Sequence, residues 1–305
     1  MKYQILLYYK YIKIDDPQMR RNEQREICQK LDLQGRIIVS EEGINGTLEG
    51  TTENTEEYIK WMNSQDEYKD IHYKKSEGTG DAFPKLKIKA RDEVVSAHLG
   101  EDDIDPNDTT GKYLEPEELH EWFESGKEFY IVDMRNDYEF KVGFFQDSIL
   151  PPLSNFRDLP KIIKEIESLK DKTVLTVCTG GIRCEKASGF LVKKGFKDVY
   201  QLHGGIHSYM ERYPNKHFKG KLYVFDGRIT MGFNMDSEEH EVVGRCDKCG
   251  AVSDEYADCA YRHCTGIRHF ITCNDCKDEN GYSFCSEECR EKAYVNETSF
   301  IQKLD

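Results

Sequence analysis

No stretch of this 305-residue chain is apolar for long enough to form a helical membrane span. A leader is not visible either: Met1-Lys2-Tyr3-Gln4-Ile5-Leu6-Leu7-Tyr8-Tyr9-Lys10 is too short for a signal peptide and has no small-residue cleavage site, so it reads as the first strand of a cytoplasmic protein. A positive charge balance is also lacking: 43 Lys and Arg stand against 57 Asp and Glu, a formal net charge of −14, and phosphate contacts need lysine and arginine. The distribution qualifies that absence. Residues 101–147 carry 4 Lys and Arg against 15 Asp and Glu, whereas residues 148–235 carry 15 against 8. Lys193, Lys194, Lys197, Lys216, Lys219, Lys221 and Arg228 therefore form a local basic stretch that either faces an anionic partner or balances the acidic segment before it. No flavin, haem or iron-ligand motif is present. Cysteine is plentiful, at eleven, and in a reducing compartment those thiols are ligands and nucleophiles rather than disulfides.

One of them is singled out by its neighbours. Thr173-Val174-Leu175-Thr176-Val177 is β-branched and apolar, the pattern of a buried central strand, and it delivers Cys178 to the turn Thr179-Gly180-Gly181-Ile182-Arg183 before a helix that contains Cys184. Two glycines allow several backbone N–H groups to converge on one point, and with the helix dipole and Arg183 they favour an anion there. Cys178 is thus expected to be a thiolate nucleophile, Thr179 to Ile182 its cradle, and Cys184 either a resolving thiol or a packing residue.

Upstream, residues 1–99 alternate strands (about 3–12, 36–40, 46–48, 71–75, 86–95) with helices (about 17–31 and 54–62), a ferredoxin-like βαββαβ order with Asn45-Gly46 as the tight turn of its central hairpin. An acidic linker at 100–108 follows. From 113 to 214 strands and helices alternate with short connections, which predicts a doubly wound parallel sheet with the Cys178 loop at a strand's carboxyl end. Residues 215–305 hold Cys246, Cys249, Cys259, Cys264, Cys273, Cys276, Cys285 and Cys289. Eight thiolates with so little apolar sequence between them predict two structural four-sulfur zinc sites; their pairing cannot be read from spacing.

Four residues separate Cys178 from Arg183, so the loop resembles the Cys-x4-Arg cradle of rhodaneses. Asp133-Met134-Arg135, Glu139, Gly143 and Leu202-His203-Gly204-Gly205 extend that resemblance, while Gly143-Phe144-Phe145 departs from the usual Gly-His pattern. Together with Gly35-Arg36-Ile37, Glu42-Gly43-Ile44-Asn45, Lys87-Ile88-Lys89-Ala90-Arg91, Phe225-Asp226-x-Arg228 and the C-terminal cysteines, these motifs make nearly the whole chain similar to the bacterial rhodanese-domain tRNA uridine hydroxylases. That resemblance implies hydroxylation of C5 of the anticodon wobble uridine, with molecular oxygen as substrate, tRNA (the anticodon stem-loop) as partner, and Cys178 as the essential residue. Tyr209, Tyr213, His217 and Phe218 join the basic residues as candidates for RNA contact. A persulfide-carrying sulfurtransferase would use the same thiol, and a zinc-dependent RNA- or protein-binding module would keep it as a redox sensor.

Overall fold

The computed structural model describes residues 1–266 and 269–295 and divides into two compact units, one of residues 1–137, 147–213 and 224–228, the other of residues 138–146, 214–223 and the chain from 229 on.

The first unit opens with β1 (Tyr3–Tyr11), α1 (Pro17–Lys30), β2 (Gln34–Ser40), β3 (Gly43–Thr51), α2 (Thr52–Asn63), β4 (Lys74–Gly78) and β5 (Leu86–Ala90). The sheet order is β4-β1-β3-β2-β5, antiparallel except that β5 runs parallel to β2, so a fifth strand is added to the ferredoxin-like set. Asp16 starts α1 by accepting the Met19 N–H at 2.8 Å with Pro17 in the first turn, and Thr51 starts α2 in the same way. Both helices cover one sheet face, burying Leu6, Ile37, Val39, Ile44 and Leu48 against Cys28, Tyr58 and Met62.

Three local expectations need correction here. The hairpin reverses at Glu41-Glu42, and Asn45-Gly46 lies inside β3. Gly46 is required there because a Cβ would stand 2.3 Å from the Tyr8 ring, and the Asn45 side chain donates to Val94 O at 3.1 Å rather than closing a turn. The fourth strand begins only at Lys74, and β5 stops at Ala90, where the carboxylates of Glu42 and Glu93 take up the N–H groups of Val94 and Ala97.

After the linker come β6 (Lys112–Leu114), α3 (Pro116–Glu124), β7 (Tyr130–Asp133), β8 (Gly143–Phe145), α4 (Leu159–Ile162), β9 (Thr173–Val177), α5 (Ile182–Lys193), β10 (Asp198–Leu202) and α6 (Gly205–Arg212). All but β8 belong to the first unit. The parallel sheet has the order β6-β10-β9-β7, so β9 is an inner strand. Val132, Val174, Ala187, Phe190, Leu191 and Val199 form its core. At the end of β7, Arg135 is wholly buried and grips Asp133 through Nε and Nη2, the latter at 2.7 Å. Asp133→Ala removes a carboxylate from that buried guanidinium, and a loss of about 3 kcal/mol in denaturant unfolding is expected.

In the second unit β8 pairs antiparallel with β11 (Phe218–Gly220), and Phe145 packs edge-on against Phe218 with ring centres 5.3 Å apart. The Gly143-Phe144-Phe145 departure is therefore a strand with its own aromatic partner. Among the described residues no helix is long and apolar enough to cross a membrane.

Candidate active site

Cys178 follows β9 directly and is completely buried. The turn after it works because Gly181 adopts a φ of 102°, which lets its N–H point back to the Cys178 Sγ at 3.2 Å while its carbonyl accepts the Cys184 N–H. The start of α6 clamps the other side: Ile206 and His207 donate their N–H groups to the carbonyls of Cys178 and Thr179. Gly205 must be glycine, since a Cβ would come within 2.7 Å of the Cys178 carbonyl oxygen.

Burial pushes the Cys178 thiol up, but the Cys184 thiol, the Arg183 charge and the N–H groups of Cys184 and Gly181 outweigh it and bring it down to about 6. Cys184 moves the other way, raised by burial and by the thiolate beside it. The pair shares one proton, with Cys184 as donor and Cys178 as acceptor, so a resolving role for Cys184 would first require that proton to leave. Arg183 is buried as well, its Nη2 3.4 Å from Thr179 Oγ1 and its guanidinium 5.9 Å from the centre of the Phe225 ring. Carboxamidomethylation of Cys178, followed by mass spectrometry of its peptide, should reach half its maximal rate near pH 6, against ~8.5 for an ordinary thiol. Arg183→Ala should move that midpoint upward.

Residues far from the loop in sequence complete the site. Tyr9 and Lys74, from the neighbouring strands β1 and β4, lie over the turn: a Cβ on Gly181 would stand 2.7 Å from the Tyr9 hydroxyl, and one on Gly180 would stand 2.8 Å from Leu7 and 3.7 Å from Lys74 Cε. Glu185, one turn into α5, accepts hydrogen bonds from the hydroxyls of Tyr9, Tyr113 and Thr110 and from Gln201 Nε2, all at 2.9–3.1 Å. Beside these groups a cavity of about 310 Å³ is lined by Tyr9, Tyr11, His72, Lys74, Tyr113 and His203, among others. That volume is at the lower end of the ~300–1,000 Å³ typical of small-molecule sites. Sequence reasoning assigned no role to Tyr9, Lys74 or His72, because nothing local marks a tyrosine or lysine in a strand as facing a loop more than a hundred residues away.

The eight clustered cysteines separate into two sets, Cys246, Cys249, Cys273 and Cys276 in one and Cys259, Cys264, Cys285 and Cys289 in the other, with the sulfurs of each set within 4.8 Å of one another. Sulfur–sulfur distances of 3.5–3.9 Å in these sets match the ~3.8 Å edge of a tetrahedron built from ~2.3 Å metal–thiolate bonds. Each set offers a metal ion four ligands and leaves no position for a substrate. His263 is exposed and His269 bonds Asp258 at 2.7 Å, so neither joins a set.

The basic stretch is largely taken up by carboxylates. Lys193 and Lys194 reach Asp102, Lys197 reaches Asp171, Lys216 reaches Glu239 and Lys221 reaches Asp254. Lys219 lies in β11. Arg228 is pinned by Asp226 and by Ser76 and Glu77 O. Of the aromatic candidates, Tyr209 and Phe218 are fully buried, Phe218 against Phe145 and Tyr209 beside His120 and Phe123, so neither is a stacking platform; Tyr213 is stacked on His120 at 4.0 Å and His217 accepts the Gln146 N–H.

A low-pKa cysteine at the carboxyl end of an inner parallel strand, with amides and an arginine around it, is a candidate active site of rhodanese type, and the rhodanese-like domain model matches residues 115–212. It is flanked by a UPF0176 acylphosphatase like domain at 3–94 and a rhodanase C-terminal match at 219–290. Over nearly its whole length the chain is 44% identical to the tRNA uridine(34) hydroxylase of Bacillus licheniformis (295 residues, 95% of this chain and 88% of that one). It is 45% identical to that of Staphylococcus carnosus (306 residues, 99% and 93%) and 44% identical to that of Staphylococcus aureus strain MSSA476 (292 residues, 95% and 90%). The chain belongs to the tRNA uridine(34) hydroxylase family.

Proposed function

We propose that this chain is a cytoplasmic enzyme that hydroxylates C5 of the wobble uridine of tRNA, with Cys178 as nucleophile and molecular oxygen as oxidant. Uracil C5 does not react with electrophilic oxygen unaided. Addition of a thiolate to C6 turns the ring into an enolate whose C5 is nucleophilic; C5 takes one atom of dioxygen as a hydroxyl while the other leaves as water, with two electrons and two protons drawn from a thiol-class reductant in solution, and loss of the C5 proton with expulsion of the thiolate restores the ring. The observation that carries this reading is the thiol held near a pKa of about 6 in a turn packed against Tyr9 and Lys74, which themselves line a cavity walled by tyrosine and histidine rings that suit the faces of a flat base. A wobble base lies in a single-stranded loop and can enter such a cavity without opening a duplex. Zinc is the ion we assign to both four-thiolate sets, as a structural crosslink outside the reaction.

For the anticodon stem we favour the strand β5. Lys87, Lys89 and Arg91 occupy alternate positions along this edge strand and its end, Lys85 precedes them, and among the described residues none of the four has an ion-pair partner. Their mutual repulsion already lowers the Lys89 ammonium. Lys193, Lys194 and Lys197, at and beyond the end of α5, would each have to leave a carboxylate to reach a phosphate. Charge reversal at Lys87, Lys89 and Arg91 should therefore weaken tRNA binding and reduce the salt slope by ~0.7–0.9 per lost contact, and reversal at Lys193, Lys194 and Lys197 should do less. Equal effects of the two sets in filter-binding titrations would return the α5 face to the RNA surface.

The deciding experiment is nucleoside mass spectrometry of tRNA from a strain with and without this gene. Loss of 5-hydroxyuridine on deletion and its return on complementation are expected. Unchanged tRNA together with efficient thiosulfate-to-cyanide sulfur transfer would favour the sulfurtransferase.

A further inference from the structure

Lys74 is a buried cavity-lining cation whose chemistry the fold leaves unspent. It is 3% exposed, yet among the described residues its ammonium makes no hydrogen bond and no ion pair. It stands 5.0 Å from the centre of the Tyr9 ring and against the Gly180 turn, in the field of Cys178 and Glu185. Glu185 cannot absorb it, because its two oxygens already accept from three hydroxyls and an amide. A buried cation with free donors costs several kcal/mol unless a ligand completes it.

Resting on the hydroxylase reading above, we propose that Lys74 is a second catalytic residue: its ammonium hydrogen-bonds the C4 carbonyl oxygen of the target uracil and holds the charge that develops there when Cys178 adds to C6. In that step the sulfur electron pair forms the S–C6 bond and the C5=C6 pair shifts into the C5–C4–O4 enolate. The proton stays on Lys74 as a hydrogen-bond donor, so no electron or proton leaves the reacting groups. This is oxyanion stabilisation by a preorganised donor in a dry site. The same donor rejects cytosine, whose C4 amino group is itself a donor.

Protonation states agree with the assignment. Burial lowers Lys74 to about 8, against the pull of Cys178 and Glu185, and Cys178 ionises near 6. The other groups facing Lys74 keep their states between these values: His72 and His207 are held neutral by burial, at about 4 and about 3, and the Tyr9 hydroxyl is raised by burial beside Glu185. Thiolate and ammonium therefore coexist only from about pH 6 to about pH 8.

The test uses the full chain and an anticodon stem-loop carrying 5-fluorouridine at the target position, which has no C5 proton to lose and retains the Cys178–C6 bond. Wild type should give an adduct stable on denaturing gels, with a bell-shaped pH profile. Lys74→Met should form it ~100-fold more slowly than wild type between about pH 6 and about pH 8, the deficit narrowing as the wild-type ammonium titrates away above that range, and Lys74→Arg should recover ~10-fold of that loss. Alkylation of Cys178 in the methionine variant at about pH 9 should stay near the wild-type rate, where either protein holds a thiolate. Trapping by Lys74→Met at the wild-type rate between about pH 6 and about pH 8, or a variant rate that climbs at high pH to the wild-type maximum, would overturn the proposal, since Lys74 would then only help ionise the thiol. Should the variant fail to fold, the wild-type profile decides: a trapping rate that keeps climbing above pH 8 overturns it. A wild type that neither traps the RNA nor makes 5-hydroxyuridine overturns the hydroxylase reading itself.

Discussion

Cys178→Ala is expected to remove 5-hydroxyuridine from the tRNA of a strain that depends on the variant, a loss of at least ~10³-fold, because a covalent mechanism has no substitute for its nucleophile. The fold should survive. The sulfur occupies little volume at the mouth of β9, so its removal costs about 1 kcal/mol, and circular dichroism should be unchanged. The companion variant Cys184→Ala separates two roles. If Cys184 acts as a hydrogen-bond donor to Cys178, hydroxylation falls at neutral pH and recovers in part as pH rises toward about 8, where Lys74 begins to lose its charge. A resolving thiol would leave activity lost at every pH. Residual wild-type activity in Cys178→Ala would move the chemistry to another group.

The second large effect concerns the cysteine sets. Elemental analysis of protein purified without added metal should find about two zinc ions per chain, and stripping them should unfold the segment from Cys246 onward, because structural zinc supplies ~10–16 kcal/mol of apparent binding free energy to such modules. The apolar core there is small: Cys259, Ala260, Phe270, Phe284 and Ala293 form its buried part. Limited proteolysis should cut beyond about residue 240 within minutes of chelation, and serine at Cys249 or Cys264 should each release one equivalent of metal. A metal-free protein with full protease resistance would remove zinc from this account.

What could be read from the sequence was what the chain encodes locally. The Cys178 loop needs a β-branched strand, two glycines and an arginine in one uninterrupted run, so residues 173–188 announce both its structure and its charge. The parallel sheet was legible for the same reason, as alternation of strands and helices. The Asn45-Gly46 reading failed because that dipeptide serves two purposes: it makes tight turns, and it also makes room for a ring, here that of Tyr8. Tyr9, Lys74 and Glu185 were illegible as a group, since only the packing of β1 and β4 over the Gly180-Gly181 turn brings them together. The cysteine sets lie between these cases. Their number was plain, but Cys246-Cys249 pairs with Cys273-Cys276 across an intervening half of the other set, an interleaving that spacing does not encode.

The pairing of β8 with β11 bears on how the chain can be cut. A fragment that ends at residue 214 keeps the Cys178 loop and all four parallel strands, but it loses Phe218–Gly220, leaving Gly143–Phe145 with bare backbone amides and the Phe145 ring without its cover. Unpaired edge amides beside a newly uncovered aromatic ring make a patch on which other molecules associate. Fragments trimmed to the rhodanese-like range should consequently precipitate or associate on expression, and a workable minimal piece has to carry the chain at least through Gly220.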